Sequence, residues 1–380
     1  MPARKTSPET VGRQLLDTAQ VEIGGSRPWD IQIHNSRLFE RVLGDRELGL
    51  GEAYQDGWWD AERVDQFLER VMVADLRSSI RPSPSLLWLS TKAALVNRQG
   101  IRQAGKNASA HYDIGNDLYE RMLDKRMLYS CAYWREQDGS AHDDLDAAQE
   151  AKLDLICRKL HLEPGMTLLD IGCGWGGFAE YAAARWGVEV TGISPAAEQV
   201  RVAVDRCAGT TAMIRQLDYR QVTGTFDRIV SVGMLEHVGP KNLRSFFEVC
   251  SDHLTPDGIM LHHTIGSNET KSRTDPWFDR YIFPGGVVPS LEQISGAALH
   301  EWAIEDVHNF GPDYDRTLCA WSRNIEAHWH EIPHYDERFR RTWNYYLMSS
   351  AASFRVRNLQ LWQVVFRRSS RQSQVYPAVR

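Results

Sequence analysis

The sequence predicts an α/β protein, a doubly wound and mostly parallel sheet preceded by a smaller N-terminal domain, and three observations carry that expectation. After Pro164-Gly165, short apolar runs alternate with segments of helical length, the pattern of a parallel sheet wrapped by helices. The first of those runs opens straight into a glycine-dense turn, Gly172-Cys173-Gly174-Trp175-Gly176-Gly177. The chain before His111 has another texture, punctuated at Gly24-Gly25, Gly44-Asp45, Gly49-Leu50-Gly51 and Asp56-Gly57 ahead of a helical pattern at 62–74.

Taken in order, the strands are Thr167–Ile171, Val188–Ile193, Ala212–Leu217, Phe226–Val232 and Gly258–Thr264, and helices fill 176–186, 196–207 and 241–253. Beyond Trp302 the chain is aromatic and basic, and an amphipathic helix near 333–362 either packs on the sheet or helps to hold a hydrophobic substrate. The 380 residues are 42% hydrophobic and 10% aromatic, too apolar for a disordered chain. At roughly 150 residues per domain this length suits two units, 1–106 and 107–380.

The net charge of −6 conceals an uneven distribution. Residues 1–110 carry 15 basic and 14 acidic side chains, 111–337 carry 20 and 36, and 338–380 carry 9 and 0. Arg81 to Lys106 holds five basic residues and no acidic one, interleaved with Leu86-Leu87-Trp88-Leu89 and Leu95-Val96. Such a segment either lies on an anionic lipid surface or forms a solvated linker helix. The six cysteines never approach a C-x-x-C spacing, so neither a zinc site nor a disulfide framework is encoded. The longest uncharged stretch, Thr342 to Phe354, has 13 residues, short of the ~18 a membrane-spanning helix requires. The polar start, Met1-Pro2-Ala3-Arg4-Lys5-Thr6, lacks the apolar stretch of a secretory signal, and cytoplasmic residence is expected.

A glycine-rich turn between strand and helix lets a ligand approach the backbone and the helix N-terminus closely. Dinucleotide-binding proteins use a similar loop, but three details point to S-adenosylmethionine instead. The spacing is G-x-G-x-G, and Asp170 stands just ahead of it, where a carboxylate can hold the ligand's ammonium or organise the loop around it and would repel a pyrophosphate. The second strand ends in Gly192-Ile193-Ser194 without the acid that an NAD enzyme places on its ribose, which leaves Ser194 and Gln199 for the ribose. The third ends in Gln216-Leu217-Asp218-Tyr219, where Asp218 can accept from an adenine amine and Tyr219 can stack on its ring.

Around this core lie Tyr129-Ser130-Cys131-Ala132-Tyr133, Glu236-His237-Val238-Gly239 and His263-Thr264-Ile265-Gly266-Ser267, with Leu48-Gly49-Leu50-Gly51-Glu52-Ala53-Tyr54, Asp56-Gly57-Trp58-Trp59 and His111-Tyr112-Asp113-Ile114-Gly115-Asn116 upstream and Leu361-Trp362-Gln363-Val364-Val365-Phe366 near the end. With these strings the chain resembles the bacterial cyclopropane-fatty-acyl-phospholipid synthases and their mycolic acid relatives over nearly its whole length. The N-terminal strings favour the phospholipid-acting branch, because the mycolic acid enzymes are similar mainly over the second domain.

The resemblance implies a Rossmann-like class I methyltransferase fold and transfer of a methylene from S-adenosylmethionine across a cis double bond of a phospholipid acyl chain. It implies a bicarbonate ion held by Cys131, Glu236, His263, Ile265 and Tyr314, with cofactor contacts at Tyr129, Ser130, Gly172, Gly174, Ser194, Gln199, Asp218 and Tyr219. It departs from the family at Leu235, often Phe there, and at Ser194-Pro195. It also implies a homodimer, working at the inner face of the membrane as a cytoplasmic, peripherally bound protein.

Elementary chemistry agrees. An alkene is a poor nucleophile, so orientation in a dry pocket supplies much of the rate, and the resulting carbocation is steadied by aromatic faces and a nearby anion. A base must then take a proton from the transferred methyl, and a small anion oriented by Glu236 and His263 reaches it. Related readings remain: methyl or methylene branching of an acyl chain, N-methylation of a small amine, or a lipid-binding protein on a decayed methyltransferase core. An amine with a lone pair needs no such anion, and the filled glycine, glutamate and histidine positions argue against decay.

Overall fold

The computed structural model describes residues 7–76, 115–135, 141–142, 144–299, 301–369 and 375–380, and elements are numbered among these. The basic segment 81–106 and the motif residues 111–114 lie outside them.

Helix α1 (Pro8–Thr18) starts where Ser7 accepts from the Thr10 amide and Pro8 fills the first turn. A two-stranded ribbon, β1 (Gln32–Ile33) against β2 (Trp59–Asp60), brackets α2 (Leu38–Gln55), which breaks at Arg46, where φ is +54°. Helix α3 (Val64–Val73) follows, close to the helix expected at 62–74. Its apolar face, with Trp59, Tyr54 and Phe67, joins one core with Trp321, Trp343 and Tyr345 from the far end of the chain.

Next come α4 (Asn116–Met122) and α5 (Leu145–Lys159), the latter capped by Asp144, which accepts from Ala147 N–H. The alternating region then runs β3 (Thr167–Ile171), α6 (Gly177–Trp186), β4 (Glu189–Ser194), α7 (Ala197–Cys207), β5 (Ala212–Gln216) and β6 (Phe226–Val232). It continues through α8 (Leu235–Val238), α9 (Leu243–His253), β7 (Leu254–Gly266), α10 (Pro276–Tyr281), α11 (Leu291–Ala298) and β8 (Trp302–Asn309). Helices α12 (Gly311–His328) and α13 (Glu337–Arg355) precede the last strand, β9 (Gln360–Arg368).

The seven strands stand in the order β5-β4-β3-β6-β7-β9-β8, parallel from β5 to β7, with β9 antiparallel to both neighbours. This is the α/β, mostly parallel sheet that the alternation predicts. Strand order reverses between β3 and β6, and at such a switch point the crevice beyond the strands' carboxyl ends takes a ligand.

The period of two divides the strands between two cores. Leu169, Ile171, Met260, Val364 and Phe366 pack with Phe246 and Phe247 of α9, whereas Leu168, Val230, Leu261 and Val365 pack with Leu153 and Ile156 of α5 and Phe178 of α6. Asp170, His263 and Gln363 therefore fall on the α5 side. His262 turns to the other, its ring 5.4 Å from Phe246 and 5.3 Å from Phe247.

One expectation is corrected. Instead of a helix over 333–362, α13 ends at Arg355, Arg357 takes the left-handed region at φ +65°, and 360–368 is a sheet strand. Gln360-Leu361-Trp362-Gln363-Val364-Val365-Phe366 is buried on both faces, and such a run carries no alternation to distinguish it from a helix. The arginines of this region are largely engaged with acids: Arg338 with Asp56, Arg341 with Asp60, Arg355 with Asp65, Glu69 and Asp315, and Arg380 with Asp306.

Candidate active site

The glycine turn joins β3 to α6 at the switch point. Gly172 sits at φ +87°, and a Cβ there would meet Met234 Cγ at 3.1 Å, so glycine answers both a backbone and a packing demand. The amides of Gly172 and Cys173 both donate to the Ile193 carbonyl, which ties the turn to β4. Beyond it opens a cleft of about 1370 Å³, its mouth included. Tyr129, Ser130, Asp170, Gly172, Gly174, Ser194, Gln199, Asp218 and Tyr219 all line it.

Asp170 is buried, and its Oδ2 has no hydrogen-bond partner among the described residues. Burial lifts its carboxyl to about 7, against the pull of the Lys152 charge. Ser194 Oγ donates to Gln199 Oε1 at 3.2 Å and accepts from Ala196 N–H. Asp218 is already engaged: burial disfavours its charge, yet Arg220 Nε and Nη2, each at 2.7 Å, keep its pKa below the usual value. Tyr219 packs edge-on against Phe246, with the Arg220 guanidinium 4.9 Å from its ring centre.

Glu236, His263 and Ile265 meet at the end of β7. Glu236, on the single turn of α8, accepts the Ile265 N–H on Oε1 at 2.6 Å, while its Oε2 is buried without a hydrogen-bond partner among the described residues. Burial raises this carboxyl to about 7. The Ile265 amide, expected to face an anion, thus orients the carboxylate. His263, on the same face of β7 two residues earlier, accepts from Gln363 Nε2 on Nδ1 at 3.3 Å, and its Nε2 is buried without a partner among the described residues. Burial and the charges of Lys152 and Lys159 hold the imidazole neutral, so its proton sits on Nε2 and points away from Gln363.

Cys131 and Tyr314 arrive from other elements. Thr317 Oγ1 of α12 accepts from Ala132 N–H at 3.1 Å and from Trp134 Nε1 at 2.9 Å, and Asp313 accepts from Trp134 N–H at 2.9 Å. These bonds hold the loop carrying Cys131 against the turn carrying Tyr314. The Cys131 thiol is fully buried and pushed far up, so it stays protonated. Tyr314 packs on Phe354 at 4.6 Å.

Sequence reasoning passed over Lys152, Gln363, Thr317 and Gln149. Lys152 and Gln149 lie on the buried face of α5 with Leu145, Ala148, Leu153 and Ile156, and a lysine on an apolar helical stripe is a readable signal. Gln363 on a strand buried on both faces is another.

Solved structures share this architecture. The cyclopropane synthase MmaA2 of Mycobacterium tuberculosis aligns with a TM-score of 0.64 at 30% identity, covering 69% of this chain and 97% of that one. The mycolic acid cyclopropane synthase CmaA1 complexed with SAH and CTAB aligns at 0.63 and 32%, covering 69% and 97%. Coclaurine N-methyltransferase, at 0.67 and 20% identity, shares the fold. Fold, switch-point cleft and acid-led glycine turn together define an S-adenosylmethionine-dependent methyltransferase of class I.

The sequence comparisons narrow that class. Cyclopropane-fatty-acyl-phospholipid synthase of Escherichia coli (strain K12) is 48% identical over 359 residues, 94% of this chain and 93% of that one. Cyclopropane mycolic acid synthase 2 of Mycobacterium leprae is 35% identical over 295 residues, 70% of this chain and 94% of that one. Residues 99–364 match the family described as mycolic acid cyclopropane synthetase, and the chain belongs to that family.

Proposed function

We propose that this protein transfers a methylene from S-adenosylmethionine to the cis double bond of unsaturated acyl chains in membrane phospholipids, forming cyclopropane rings, with bicarbonate as the base. The observation that supports the base is that Glu236 Oε2, just beyond β6, and His263 Nε2, near the end of the neighbouring β7, are both buried without a hydrogen-bond partner among the described residues. The likeness to the Escherichia coli phospholipid synthase over 94% of the chain, N-terminal unit included, supports the phospholipid branch.

The residues present suit these groups. When bound, S-adenosylmethionine supplies the one-carbon unit and bicarbonate supplies the basic oxygen. Asp170 Oδ2 takes an ammonium, Ser194 and Gln199 face a ribose, and the backbone of Gly172 and Gly174 admits close approach. Tyr219 and Asp218 border the adenine end, Asp218 holding Arg220 there. Glu236, oriented by the Ile265 amide, would accept a hydrogen bond from a bicarbonate hydroxyl, His263 Nε2–H would donate to another of its oxygens, and Cys131 and Tyr314 would complete the cage. Tyr129 stands in an aromatic wall, 5.2 Å from both Tyr119 and Trp321, its hydroxyl 2.7 Å from that of Tyr346. These faces steady positive charge while excluding water.

The substrate requires membrane contact. None of the helices among the described residues is long and apolar enough to cross a membrane. We assign residues 1–106 to a lipid-docking unit with its basic connector and 107–380 to catalysis, in a homodimer bound peripherally at the cytoplasmic face. The five cations and no acids of 81–106 support that assignment. Incubation with S-adenosylmethionine and vesicles of a cis-monounsaturated phospholipid, read by proton NMR, tests the reaction. Olefinic protons should disappear as high-field ring protons grow; a methylene branch of equal mass, or no lipid product, overturns the reading.

A further inference from the structure

Lys152 on α5 is fully buried and lines the cofactor cleft. Its ammonium donates to Ser130 Oγ at 2.8 Å. Among the described residues no carboxylate lies within ion-pair distance of it, whereas the other fully buried lysine, Lys159, sits 3.2 Å from Asp306. A buried ammonium offers three donors and accepts nothing, and holding it against one neutral hydroxyl is costly unless an anion joins it.

The bond to Ser130 has a directional consequence. Ser130 Oγ must accept from the ammonium, so its own proton is free to be donated elsewhere. The backbone around it is pinned, since Gln149 Nε2 donates to the carbonyls of Leu128 and Ser130 at 3.1 and 2.9 Å. Asp124 already accepts from the amides of Leu128 and Arg126. The charge of Lys152 interacts first with Asp124, beyond ion-pair distance and already holding two amides, and also reaches Cys131, Asp170 in the cleft and His263. It stands between the two groups of site residues.

We propose that Lys152 and Ser130 form a paired-donor post for a carboxylate-type anion bound in the cleft. The identity of that anion rests on the function proposed above, and it has two sources, the α-carboxylate of S-adenosylmethionine or bicarbonate. Lys152 is then the cation that turns Ser130 into a committed donor and balances the anion's charge.

Calorimetry on the full-length protein separates the sources. Wild type and Lys152→Met are titrated with S-adenosylmethionine and with its decarboxylated analogue, and turnover on vesicles is followed against added bicarbonate in carbonate-depleted buffer. If the cofactor carboxylate is the ligand, wild type favours the full cofactor by about tenfold, the worth of one charge-assisted hydrogen bond, and the variant loses that preference. If bicarbonate is the ligand, cofactor affinities hold and the half-saturating bicarbonate rises about tenfold. A folded variant unchanged in both overturns the proposal. Ser130→Ala gives the same reading should Lys152→Met not fold, because it removes the hydroxyl and leaves the lysine. Wild type that binds cofactor yet makes no ring lipid would defeat the proposed reaction alone, since the titrations still report on the post.

Discussion

At the scale of single residues, the site is governed by what burial does to charge. Glu236 gives up its hydration for hydrogen bonds that only partly replace it, the Ile265 amide among them, and burial raises its pKa from 4.5 to about 7. Between those values the folded protein binds the extra proton, so stability falls as pH rises through this window and the cost is complete above it. Glu236→Gln keeps an acceptor for Ile265 and removes the charge. Ring formation should disappear, cofactor affinity should stay within a few-fold, and the unfolding midpoint should exceed wild type at about pH 8 by an amount worth up to ~3 kcal/mol, the gap closing by about pH 5. Thermal scans at both pH values check this; a gap independent of pH would mean that the carboxyl titrates in the fold as it does in the unfolded chain.

At the scale of elements, the site depends on α12 holding the loop before α5. Thr317 accepts from two buried donors and itself donates to the Asp313 carbonyl at 2.8 Å. Thr317→Val keeps the shape and leaves both donors unpaired, which should cost about 2–4 kcal/mol by urea unfolding. Turnover should fall further than cofactor affinity, because the loop carrying Cys131 and the turn carrying Tyr314 lose their common anchor. Equal losses in both would place the effect on Tyr129 and Ser130 instead.

At the scale of the whole molecule, Arg355 joins the two ends of the chain. Its guanidinium reaches Asp65 and Glu69 of α3 and Asp315 of α12, and the Asp65 side chain is only 1% exposed. Arg355→Met should cost about 1.5–3 kcal/mol, since Asp65 keeps Arg63 but loses one of its two guanidinium partners, and Asp315 and Glu69 lose theirs. Because the N-terminal helices share their core with Trp321 and Trp343, truncation would strip apolar surface as well as any docking segment. Membrane contact is better tested on the intact chain. Lys92→Glu with Arg98→Glu should weaken vesicle co-sedimentation several-fold at low salt, and added salt should narrow the difference. Unchanged binding would remove 81–106 from the docking surface.

The sequence by itself determined the parallel strands, the glycine turn and the family. Each is written locally, in alternation of apolar runs, in spacing such as G-x-G-x-G, and in contiguous strings such as Glu236-His237-Val238-Gly239. The tertiary structure alone decided which buried polar atoms meet. Which of His262 and His263 faces α5 depends on the register of β7 in the sheet, and the partner of His263 lies a hundred positions away at Gln363. Ile265 N–H taken by Glu236 and Lys152 set against Ser130 depend equally on packing. So does β9, whose two-sided burial erases the alternation that would have announced it. Periodicity records how a segment meets water, whereas pairing among buried groups is set by contacts between segments that no local pattern encodes.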